Sequence, residues 1–334
     1  MSTTSTPATI TPTTKFVWLL KREFWEYRGS FFWAPAITAM VMLAFVLIGL
    51  LIAEVSANRH GVNLSGIHFD EISQRLSSGD LEKLHAGMDI GLLSLGVPIG
   101  ITLFFVLLFY GIGALYNDRA DRSVLFWKSL PISDSLTVLA KACAMGLMAP
   151  ALAVAALIAL DLGFLTIMSI WVSAHGINPL PLWSPTHLVA LWIKMIVLIP
   201  LNALWALPTI GWLLLCSAFA RSKPFLWAMT PIVAGVVVTI SHLMNDLSLP
   251  SAWFWQNIVG RLLFSIVPGG WMDLARVHEL DREDRLPEVL GSVLSFDSIG
   301  HLVTSPSFIF GAIAGVGMIW AAIYLRRSRI ESFA

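Results

Sequence analysis

Six stretches of this chain are each long and apolar enough to cross a lipid bilayer, which commits the fold to a membrane before any motif is considered. They run over residues 32–53, 92–116, 145–171, 187–218, 225–243 and 307–325, against about 20 residues needed for one helical crossing. Lipid offers no hydrogen bonds to an open backbone, so such segments take helical form. Composition agrees: 57% of the 334 residues are apolar and 13% are charged, where a soluble domain carries about a quarter charged. The expected fold is an all-α polytopic membrane protein with six transmembrane helices over 31–325. The fourth stretch is too long for one upright helix and contains Pro200 and Pro208, so it is expected as a single tilted or kinked span.

Orientation follows from the basic residues. With the N-terminus inside, 13 of the 21 Lys and Arg fall on the inner side, seven on the outer side, and Lys194 within a span. The outer loops (54–91, 172–186 and 244–306) are much longer than the inner ones, so the bias per residue is sharper still. Both termini are then cytoplasmic, with 326–334 a cytoplasmic tail. Residues 1–14 are rich in Ser, Thr and Pro and are expected as a disordered tail. The next segment, KFVWLLKREFWEYR, sets Phe16, Leu20 and Phe24 at four-residue spacing among Lys15, Lys21, Arg22 and Arg28. That pattern predicts an amphipathic interfacial helix over 15–30, either packed on the next cytoplasmic element or anchored to anionic lipid. The outer loops carry an acidic excess, expected as solvated surface, an external cap or a docking face. Residues 253–272 place Asn257, Arg261 and Ser265 at strict four-residue steps and turn at Pro268, Gly269 and Gly270. This predicts a re-entrant or interfacial helical element before the last span, its polar stripe a candidate lining for the outer mouth of a pathway.

The stretch 110–141, YGIGALYNDRADRSVLFWKSLPISDSLTVLAK, interrupts two apolar runs with a compact mixed-charge segment. Asp118 and Arg122 stand four apart and share a helix face. Pro131 breaks the segment, and Ser133 or Asp134 is placed to cap the next helix. A short rigid helix wedged between two spans is a piece that a soluble partner could push on.

The run LYNDRADRSVLFWKSLPISD resembles the segment after the second span in permease subunits of the ABC-2 family of bacterial ABC transporters, above all those with an LFWKSLP-like run. The resemblance covers roughly 110–141; beyond it only hydropathy and topology are shared. It implies a cytoplasmic coupling helix docked on an ABC ATPase subunit, with Asn117, Asp118, Arg119, Asp121, Arg122, Phe126, Trp127, Lys128 and Pro131 as the contact surface. It implies a bacterial cytoplasmic membrane, two ATPase copies and a second permease subunit, expected as a homodimer in contact with membrane lipids. Similar re-entrant elements precede the last span in that family. The implied function is ATP-driven export of a lipid-like, peptide or amphipathic substrate by alternating access. The alternative is a membrane scaffold that transmits the ATPase's movement to an external partner without translocation.

No GxxxxGK[ST] run occurs, so no P-loop ATP hydrolysis by this chain is expected, and ATP with Mg would sit on the partner. HExxH and GxSxG are absent as well, which leaves metalloprotease and serine-hydrolase readings without a motif. A net charge of zero gives no reason to expect nucleic acid as a partner. The eight histidines show no ligand-like i, i+2 or i, i+4 spacing, so no metal is expected. Two charges fall inside spans, Asp161 in the third and Lys194 in the fourth, at similar depth. Each is costly alone in lipid, so they are expected to pair. Cys143 and Cys216 are expected as free thiols.

Overall fold

The computed structural model describes residues 11–60, 87–88, 91–121, 132–183, 185–243, 251–270, 300 and 302–328. The elements described are helices joined by turns, with no strand among the described residues. Helix α1 (Pro12–Glu26) is capped by the Thr11 hydroxyl and begins inside the stretch expected as a tail. Helix α2 (Ala34–His60) continues from a π turn, Gly29–Trp33. Helix α3 (Val97–Gly113) leads into the short helix α4 (Tyr116–Ala120). Helix α5 (Asp134–Cys143) passes through a second π turn, Ala144–Met148, into α6 (Ala149–Ala174).

Five stretches are long and apolar enough to cross a membrane: Gly29–His60, Gly91–Ala120, Asp134–Ala174, Leu188–Trp205 and Pro306–Ser328. The chain is therefore an all-α, multi-pass membrane protein. The fourth expected span divides at Ala206 into α7 (Pro185–Trp205) and α8 (Leu207–Phe219). The cause is Pro208 at the start of α8, which has no N–H to return to the preceding turn. The fifth expected stretch divides likewise into α9 (Pro224–Ala228) and α10 (Thr230–Leu243). Its apolar part, Thr230–Ser241, is shorter than the five. Lys223, just before Pro224, holds a left-handed backbone with φ 50°.

Residues 251–270 form α11 (Ser251–Phe254), a π turn (Trp255–Val259) and α12 (Gly260–Leu263) before turning at Gly269. Helix α13 (Pro306–Ser328) closes the bundle. Outward positions such as Phe45, Leu51, Phe105, Val237 and Trp320 are exposed apolar side chains, as lipid-facing positions are. Inside, Leu103, Leu107, Met145, Ile210, Leu213 and Ile319 form one core shared by α3, α6's approach, α8 and α13.

With no hydrophobic force between helices in lipid, close approach depends on small residues. Helix α8 packs along α13, and a Cβ on Gly211 would stand 2.5 Å from the Gly315 carbonyl oxygen. A Cβ on Gly315 would in turn run into the Leu207 backbone. Thr38 of α2 and Thr102 of α3 add an interhelical hydroxyl contact at 3.0 Å.

Candidate functional site

Among the described residues, the short helix α4 is a charged element tied to several others. Its N-terminal amides need acceptors, and its own sequence supplies no capping side chain there. The Ser217 hydroxyl of α8 does this from another helix, accepting from the backbone N–H of Leu115 and of Tyr116, each at 2.9 Å. Arg119 returns the contact by donating to the Ala220 carbonyl at 3.0 Å and to the Ser217 carbonyl. A cation thus sits on the open C-terminal carbonyls of α8, where the helix dipole favours it.

Below α4 lies a buried cluster of charges drawn from four separate segments. Asp118 accepts from Arg326 of α13 at 3.1 Å and lies 3.8 Å from the Lys141 ammonium of α5. Lys141 is wholly buried and pairs with Glu23 of α1 at 3.2 Å. Glu23 also accepts from the Tyr110 hydroxyl at 2.7 Å. Arg326 reaches further to Asp134 at 3.0 Å. Asp134 opens α5, whose N-cap is Ser133. Tyr110 is walled by Tyr27 and Phe31, with ring centroids 4.7 and 4.9 Å away. The Tyr27 phenol is pushed up to about 12, first by burial and then by the carboxylates Glu26, Glu23 and Asp118.

Buried ions are costly unless each finds its partner, and here three carboxylates, two cations and a phenol satisfy one another. The arrangement locks α1, the end of α3, α4, the start of α5 and the end of α13 into one unit. What α4 leaves outward is Ala120 and Asp121, both exposed, while Asn117 is exposed but lays its amide over Gly113 and hydrogen-bonds Tyr27.

Asp118 was expected on the outward contact surface. It is 6% exposed and faces inward, because the cations able to neutralise it, Arg326 and Lys141, stand inside. Arg119 is half-buried and spent on α8. Of the nine contact residues expected, Asp121 is outward and Asn117 is exposed but bonded to Tyr27, while Arg122, Phe126, Trp127, Lys128 and Pro131 lie outside the described residues. Sequence reading passed over Glu23, Tyr110, Asp134, Lys141, Ser217 and Arg326 as parts of this cluster. A signal existed for Lys141, an unpaired cation two turns into an apolar helix. Another existed for Glu23, on the side of α1 that Leu19 buries.

The expected pair of Asp161 and Lys194 is not formed. Asp161 is buried and accepts from the Trp192 indole at 3.0 Å, while Lys194 is exposed. Two residues apart on a helix, Trp192 and Lys194 point in nearly opposite directions, so only one of them faces Asp161. The expected outer-mouth stripe is also revised. Arg261 and Ser265 are buried, with the Ser265 N–H donating to the Thr209 hydroxyl at 3.1 Å and Thr209 donating to the Arg261 carbonyl at 2.9 Å. Both therefore form a polar seam against α8 rather than an open lining. Asn257 falls in the wider π turn, which rotates it off their face, and its amide donates to the Trp253 carbonyl at 3.1 Å.

Comparison of the chain with family models, with curated proteins and with solved structures finds no match.

Proposed function

We propose that this chain is the membrane-spanning permease subunit of an ATP-driven exporter of the ABC-2 class. It has six crossings with both termini cytoplasmic, and works as a dimer in a bacterial cytoplasmic membrane. The segment 117–131 is its contact with a separate ATPase, which carries the ATP and Mg. The substrate is lipid-like, a peptide or amphipathic.

One observation carries the reading: a short surface helix, α4, is tied by hydrogen bonds and buried ion pairs to α8, α5, α1 and α13 while one of its faces stays free. A lever must be rigid toward the bundle it moves and open toward what pushes it, and α4 meets both conditions. A partner that binds this face differently in two nucleotide states would bias the helix ends joined beneath it. The basic-residue bias supports placing the face in the cytosol.

Reconstitution with a P-loop ATPase, sought first among the genes neighbouring this one, tests the proposal. Stimulated ATP hydrolysis should be lost in Asp121→Lys combined with Ala120→Lys, both exposed, while membrane insertion and melting stay unchanged. Undiminished stimulation in that variant would contradict it.

A further inference from the structure

A second charged site lies away from this anchored cluster, around Arg261. The residue is 8% exposed, and no carboxylate meets it among the described residues. Its donors reach only neutral acceptors: the Trp205 carbonyl at 3.4 Å, the Ser265 hydroxyl at 3.3 Å and the Ser307 carbonyl at 3.3 Å. Its plane lies over the Trp205 ring, 3.5 Å from the centroid. The Arg261 Nε is buried without an acceptor, and so is the Trp205 indole Nε1.

Buried donors in native proteins are almost always paired, so two orphans on stacked side chains each call for an acceptor. The bundle is also shaped around the cation, since a Cβ on Gly311 of α13 would collide with the guanidinium. Gly311 precedes Arg326 by fifteen residues on one helix, about 22 Å at 1.5 Å per residue. The site therefore sits in the half of the bilayer opposite the buried cluster. Phe264, one turn on from Arg261, and Phe310, beside Gly311, are 48% and 72% exposed, which offers apolar surface next to the charge.

From these features the geometry points to a binding site for a phosphate-class oxyanion, held by the Arg261 fork and the Trp205 N–H, with any acyl chain lying along Phe264 and Phe310. A guanidinium matches such oxygens two at a time and a lone indole N–H adds a third donor. The inference does not depend on the transport reading, because it concerns binding alone.

The experiment is a binding titration of the detergent-purified full chain with short-chain phosphatidylglycerol and, separately, with inorganic phosphate. Trp205→Phe keeps the ring and removes a donor that the protein itself leaves unused. It should leave the melting of the unliganded chain unchanged and weaken binding about tenfold, the worth of one hydrogen bond to a charged group. Arg261→Gln should remove binding. Saturable binding of the lipid alone assigns the site to a lipid head group, and binding of phosphate with the same losses assigns it to the free anion. If neither probe binds saturably, or if both variants bind as tightly as the parent chain, the site does not exist.

Discussion

Lys141 is the residue whose loss the bundle should feel most. Replacing it by Met would leave Glu23 and Asp118 buried with one cation fewer, and breaking a buried pair from one side costs about 3–5 kcal/mol. Melting of the purified chain in detergent should drop accordingly, whereas Lys21→Met on the exposed side of α1 should leave it unchanged. Tyr110→Phe removes a single donor to Glu23 and should cost about 1–3 kcal/mol, read in the same assay. Ser217→Ala withdraws the acceptor for two backbone amides. Its cost should be that of a lost helix cap, about 1 kcal/mol, with faster proteolysis after Arg119 as a local signature. None of these partnerships was legible as a pairing in the sequence, since Lys141 and Asp118 lie in different segments and the other pairs join residues at least 87 apart.

At the scale of elements, the glycines decide how near α8 and α13 come. Gly315→Leu would push a side chain into the Leu207 backbone, and overpacking of this kind costs about 1–3 kcal/mol where the helices can part. Reduced yield of folded protein, read by size-exclusion chromatography, should follow, while the same change at Gly100, which faces open space, should be tolerated. The four-residue spacing of Gly96 and Gly100 permits a close contact as much as that of Gly311 and Gly315 does, yet Gly100 faces open space. Apolar length gave the helices themselves, because hydropathy is a local property. What local pattern could not reveal was direction: which face of α1 turns inward, or that Trp192 rather than Lys194 would meet Asp161. The breaks at Ala206 and Met229 follow from Pro208 and Pro231 in part, each just inside the helix that resumes. Each half of the fourth run falls short of a full crossing, which is why one kinked span is expected there.

For the whole molecule, the account rests on a lever at one membrane face. Helix α4 is fixed at its root by charges from α1, α5 and α13, and the exposed Ala120 and Asp121 are where a soluble partner would bear on it. The direct measurement places a cysteine at 121 in a chain with Cys143 and Cys216 replaced by Ser, and exposes sealed membrane vesicles of each orientation to an impermeant maleimide. The expected result is labelling from the cytosolic face alone, suppressed when the partner ATPase is bound. Labelling from the opposite face would contradict the account at its root.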